Sequence, residues 1–199
     1  MKRYLVKTIS DRSEISDCET VVIDHFMWTN DYKPHCEAKI GYIPGEELII
    51  RFTVVESEPL CIYHENEEPV YMDSAVEAFM SFGASKDRYM NLEVNSYGAM
   101  LAHFGVKGNR KKISDISGAL VEREARMAGK EWSVTLYVPC RMISDLFGQN
   151  ESPSDGFRFN LYKICSTKGR EHYASFAPID SDHPDFHRPD CFAEAVIAG

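Results

Sequence analysis

Leu48-Ile49-Ile50-Arg51-Phe52-Thr53-Val54 alternates: positions 48, 50, 52 and 54 are apolar, while Arg51 and Thr53 turn the other way. A period of two marks a strand with one face in a core and one in water. The same scheme recurs along the chain. In Tyr89-Met90-Asn91-Leu92-Glu93-Val94-Asn95, Met90, Leu92 and Val94 form the core face and Asn91, Glu93 and Asn95 the wet one. Trp132-Ser133-Val134-Thr135-Leu136-Tyr137-Val138 repeats it with Trp132 pointing in, as does Phe157-Arg158-Phe159-Asn160-Leu161.

Further strands are expected at 3–8, 36–42, 74–81, 98–104, 118–124, 171–176 and 192–197. Turn chemistry falls between them at Pro44-Gly45, Asn66 to Pro69, Gly108-Asn109, Gly129-Lys130 and Ser154-Asp155-Gly156. One short helix is expected at about Arg141 to Leu146, ended by Gly148. Many half-polar strands joined by turns, without crossover helices, predict an all-β fold: an antiparallel, immunoglobulin-like β-sandwich of two packed sheets with at most one or two short helices.

With 199 residues, 44% of them hydrophobic, the chain is long enough for one well-buried core and short for two, so a single domain over 1–199 is expected. The net charge of −9 argues against nucleic acid or an anionic membrane as partner. No apolar run reaches bilayer length, and Lys7 interrupts the N-terminal segment before a signal-peptide core develops. The sequence as written therefore reads as cytoplasmic, and a mature secreted form would read the same. Cys18, Cys36, Cys61, Cys140, Cys165 and Cys191 are scattered without zinc spacing and read as free thiols, although an even count leaves disulfides open.

Two segments carry the functional signal. Tyr71, Asp73 and Glu77 share one parity ahead of Phe79, and Phe186-His187-Arg188 places an aromatic ring among charges in the last loop. A pyranose has an apolar C–H face and a rim of hydroxyls, so its receptor needs flat rings and fixed donors and acceptors. Asn91, Glu93 and Asn95 supply a face rich in short hydrogen-bonding groups, which Arg158 and Asn160 join if the two strands share a sheet. Asp73 also reads as a turn cap, and Glu77 as half of an ion pair. His172, His183 and His187 crowd Asp180, Asp182 and Asp185, but at no standard zinc spacing, and a loop so rich in Asp and Pro is more often held by side-chain to backbone bonds. No cofactor or metal is expected; structural calcium is conceivable without a motif for it.

The segments Val70 to Phe79, Tyr89 to Asn95, Phe159 to Lys163 and Pro184 to Phe192 together resemble the family 9 carbohydrate-binding modules, and the family 9-like proteins of the DOMON-like superfamily, over about Ile40 to Ile197. The resemblance implies non-catalytic binding of a mono- or oligosaccharide such as a xylan or cellulose fragment. The family sandwiches a terminal sugar between two tryptophans; their places fall on Tyr71 and Phe186, and the family's carboxylate falls on Glu77. Where the family supplies an arginine this chain has Glu93, with Asn95 kept. Two aromatic contacts of ~0.5–1.5 kcal/mol each and a few hydrogen bonds of roughly 1 kcal/mol imply micromolar to millimolar affinity.

Two other classes compete. Glu77 and Glu93 facing each other at ~5 Å would suit a retaining glycoside hydrolase. The wider superfamily implies a haem or redox domain, with Met72, Met90, Met100 and His103 as conceivable ligands.

Overall fold

The computed structural model describes residues 2–28 and 31–198. The strands are β1 (Arg3–Thr8), β2 (Thr20–Val22), β3 (His25–Phe26), β4 (His35–Ile43), β5 (Glu47–Val55), β6 (Ala75–Ser81), β7 (Tyr89–Asn95), β8 (Met100–Val106) and β9 (Asn109–Lys112). They continue with β10 (Glu122–Ala128), β11 (Glu131–Pro139), β12 (Phe157–Cys165), β13 (His172–Ser175) and β14 (Ala193–Ile197). Among the described residues, two short helices, α1 (Ile113–Ser117) and α2 (Cys140–Phe147), complete the regular structure with four 3-10 segments, three of them of three residues and one, Arg12–Asp17, of six. The fold is all-β, with few and short helices.

The antiparallel expectation fails at one strand. Arg3 to Val6 of β1 pair in parallel with Glu194 to Ile197 of β14, and Lys7 and Thr8 pair in parallel with Gly41 and Tyr42 of β4. These contacts join everything into one mixed sheet in the order β10-β11-β5-β4-β1-β14-β12-β6-β7-β8-β9, with β2, β3 and β13 alongside. Alternation reports which way side chains face and carries no information about strand direction.

The sheet curls so that its two halves share one core. Ile40, Ile50, Phe52, Val54, Trp132, Val134 and Leu136 from one half pack with Val76, Ala78, Met80, Leu92, Val94, Phe159 and Leu161 from the other. Trp132 is fully buried, as its phase requires. Strand 118–124 begins later than read, at Glu122, because Ile113–Ser117 winds into α1 and Gly118 ends it at φ 70°. The 98–104 strand starts at Met100, because Asn95 Oδ1 accepts from the backbone N–H groups of Tyr97, Gly98 and Ala99 and holds that turn. The very short β2, β3 and β9 carry too few residues for a periodic signal.

All six cysteines are unpaired, three of them buried. Among the described residues, no helix is long and apolar enough to cross a membrane.

Candidate functional site

Every residue of β6 and β7 is buried, so the face expected to be wet is not. Opposite the main core lies a second apolar layer in which Ala75, Phe79, Tyr89, Tyr162 and Ile164 meet Ile179, Phe186 and Phe192. The chain from Phe176 to Phe192 folds back over the strands and covers that face. Parity in a strand says which residues share a face, and says nothing of what later covers it.

A cavity of about 370 Å³ interrupts this second layer. Its base is one cross-strand row: Tyr162 pairs with Glu77, Glu77 with Glu93, and Glu93 with Leu101. Arg110 and His187, bonded to each other, line it together with Tyr71, with Tyr173 and Phe186, which meet edge to face, and with His103 and Asp185. At the low end of ligand-pocket volumes, the cavity suits one or two sugar rings.

Arg110 comes from β9, where Gly105 makes its approach possible. Gly105 has φ 147°, and a Cβ there would lie 2.4 Å from the Asn109 carbonyl oxygen and 3.0 Å from Arg110 Cα. Arg110 Nη1 donates to Asn91 Oδ1 at 3.0 Å and to His187 Nδ1 at 3.2 Å. Since guanidinium can only donate, His187 Nδ1 accepts; it also takes the Tyr89 hydroxyl at 2.9 Å, and its Nε2 carries the proton. Burial, and next the charge of Arg110, lower the His187 pKa to about 4, so the ring is neutral near pH 7.

Burial pushes both carboxyls up, and by different amounts. Burial raises Glu93 to about 7 against the pull of Arg110 and the Asn91 amide, which donates to Glu93 Oε1 at 2.8 Å. Burial, and then the Glu93 charge, hold Glu77 well above the usual carboxylate range. Near neutral pH the pair therefore keeps at least one proton.

The covering loop is tied down at several points. Trp28 Nε1 donates to Ser181 O at 2.7 Å, Tyr162 hydroxyl to Phe186 O at 3.2 Å, and Lys107 Nζ to Asp185 Oδ2 at 2.5 Å. Within it, His187 N–H bonds to Asp185 Oδ1 and Ser181 hydroxyl to His183 O. Among the described residues no three His, Cys, Asp or Glu side chains are arranged to hold a metal. Two non-glycine residues with left-handed backbone brace the site: Trp28 at φ 54° packs on Phe186, and Glu67 at φ 67° bonds to His103.

The sequence-derived residues separate into two groups. Tyr71, Glu77, Glu93, Phe186 and His187 line the cavity, and Asn91 stands behind it, bonded to Glu93 and Arg110. Asp73 and Asn95 are fully buried in a structural knot: Asp73 accepts from Ile62 and Tyr63 N–H and from Asn95 Nδ2. The strand expected at 74–81 runs from Ala75, so Tyr71, on a 3-10 turn and 39% exposed, and Asp73 lie ahead of it and do not continue the parity of Glu77. Asn160 does share the sheet, but its amide is spent on Ala177 and Leu161. Arg158 ties Pro189 O to Ser81, and Arg188 pairs with Asp190 at 2.8 Å.

Phe186 stacks on Tyr162 with ring centroids 4.1 Å apart, which covers one face. The more open ring beside it is Tyr173, which the sequence reading missed along with Arg110 and Asp185. Met90 and Met100 lie in the main core, whereas His103 lines the cavity on the opposite face, so neither of these methionines converges with His103.

Residues 9–197 match the profile of carbohydrate-binding family 9. No curated protein matches the chain. A candidate carbohydrate-binding protein from Bacteroides uniformis ATCC 8492 is similar in structure, with a TM-score of 0.86 at 23% identity over 99% of each chain. A family 9 module from Caldicellulosiruptor kristjanssonii, solved with cellotriose, gives 0.64 at 10% identity over 100% of this chain and 94% of that one. The same organism's module with glucose gives 0.68 at 12% identity over 100% and 96%. At these identities the likeness is one of fold.

Proposed function

From a chain that belongs to carbohydrate-binding family 9, we propose a receptor that binds a mono- or oligosaccharide in the Glu77–Glu93 cavity without chemical turnover. One observation supports the placement: buried carboxylates, a guanidinium, the exposed Tyr71 ring and the half-buried Tyr173 ring converge on one cavity of sugar size. Tyr71 and Tyr173 offer ring faces to the C–H side of a pyranose. Glu77, Glu93, Arg110 and the His187 Nε2–H offer acceptors and donors to its rim. Asn91 positions Arg110 and Glu93. Asp73, Asn95, Arg158, Asn160 and Arg188 support the scaffold, and binding needs no calcium.

Plant-polysaccharide fragments are one source of such ligands, in keeping with the cellotriose and glucose bound by the Caldicellulosiruptor module. The test is a two-dimensional NMR titration of labelled protein with mono- and disaccharides, repeated with a chelator. Shifts confined to residues around Glu77, Glu93, Arg110 and His187, unchanged by the chelator, support the reading. Silence at millimolar sugar refutes it.

A further inference from the structure

The charges around the cavity are unbalanced in one direction. Glu77, Glu93 and Asp185 line it, and Glu67 stands behind His103 at 2.9 Å. Against these four carboxyl groups, of which the Glu77–Glu93 pair holds at least one proton near neutral pH, stand Arg110 and Lys107, and Lys107 is already bound to Asp185. His187 is neutral by its hydrogen bonds. Lys163, the remaining cation near Glu77, is committed to Glu56 at 3.3 Å and to His172 at 2.7 Å.

The partnering is equally one-sided. Glu77 is 3% exposed and, among the described residues, has neither hydrogen bond nor ion pair. Among the described residues, Glu93 is bonded only through Oε1, to Asn91. Among the described residues every side-chain nitrogen or oxygen sealed from solvent has a partner, so the unpartnered Glu77 and Glu93 oxygens open on the cavity. Arg110 is near enough for its charge to act on both, but its Nη1 is bonded to Asn91 and His187, and among the described residues it makes no ion pair with either glutamate.

We propose that the sugar this cavity prefers carries a protonated amine, seated between the Glu77 and Glu93 carboxylates; this rests on the sugar-binding reading above. An ammonium brings three N–H donors and the missing positive charge to oxygens that lack both. A neutral hexose brings donors alone and leaves two facing carboxyls that must go on sharing a proton. When the amine binds, the O–H bond of the protonated carboxyl breaks and its proton leaves to solvent, while the ammonium keeps its own. The tyrosine rings restrict the class to amines borne on a sugar ring.

The experiment compares D-glucosamine, D-glucose and N-acetyl-D-glucosamine by NMR titration and calorimetry at pH 6.5, in two buffers of different ionisation enthalpy. The expected result is glucosamine about tenfold or more tighter than glucose, N-acetylglucosamine no tighter than glucose, and proton release with glucosamine alone. Glu77→Gln and Glu93→Gln should each narrow the glucosamine-to-glucose ratio. Equal binding of glucose and glucosamine, or a ratio unchanged in both variants, overturns the amine assignment and leaves the sugar receptor standing. If no sugar binds, both fall.

Discussion

Glu77 and Glu93 stand directly opposite each other on adjacent strands, both buried, and among the described residues neither is in an ion pair. In the unfolded chain each ionises near 4.5, while in the folded protein Glu93 waits until about 7 and Glu77 lies well above its ordinary value. Between those values the folded state holds more protons than the unfolded one. The pair's contribution to stability is therefore complete below about pH 4.5 and is lost as pH rises towards 7 and beyond. Glu93→Gln should gain stability relative to the parent by on the order of 3 kcal/mol between about pH 5 and pH 8. Urea denaturation at both values measures it; a pH-independent difference would contradict the assignment.

Arg110 depends on Gly105. Gly105→Ala should displace β9 and weaken sugar binding about as much as Arg110→Gln, by roughly tenfold or more, the worth of a charged hydrogen bond. Arg110→Gln should also push the Glu93 titration above its present value, since the guanidinium holds it down. Carboxyl carbon NMR reads that shift, and a Glu93 titration moving downward would disprove the coupling.

Tyr71 and Tyr173 border the cavity without being core residues. Truncating either to Ala should lower sugar affinity by ~0.5–1.5 kcal/mol, a loss of about three- to tenfold, with little change in Tm. Titration and thermal melts on the same samples separate the two effects. A large drop in Tm would recast these rings as packing.

Asn95 joins both sides of a buried turn, donating to Tyr63 O and Asp73 and accepting from Tyr97, Gly98 and Ala99. Asn95→Ala should cost about 2–4 kcal/mol through the groups it leaves unpartnered. Sugar affinity, measured well below the melting temperature, should stay within about threefold of the parent.

Glu56 binds Lys163, Trp132 Nε1 and the Ser74 hydroxyl in a fully buried cluster, with His172 held neutral beside it. Lys163→Met alone should destabilise by roughly 3–5 kcal/mol, because it strands the Glu56 charge. Adding Glu56→Gln should recover a large part of that loss, which a double-mutant cycle in denaturant detects.

The strands were legible wherever a core face alternated with another, as at 48–54 and 132–138. The cavity's floor was legible too, since the Glu77 and Glu93 segments carry the family's pattern. Arg110 was not: Asn109-Arg110-Lys111-Lys112 reads as a charged turn, and its place beside Asn91 depends on a backbone approach that only a glycine permits. The burial of Asn91, Glu93 and Asn95 was hidden for another reason. What covers them is irregular chain, the segment around Tyr63 and Asp73 over Asn95 and the loop with His187 together with Arg110 on the cavity side, and loops have no period to read.

The strand that joins the two halves, β1, has its partners at opposite ends of the sequence: Arg3 lies beside Glu194, and Thr8 beside Tyr42. A nascent chain can thus assemble β4 with β5 early, but the seam stays open until the last strand has left the ribosome. Such pairing is among the slowest kinds to form, since an almost chain-long loop must close before any contact rewards it. Until then the edges of β1 and β12 that β14 will join are exposed, and a chaperone's hold on this protein should last until synthesis has passed β14.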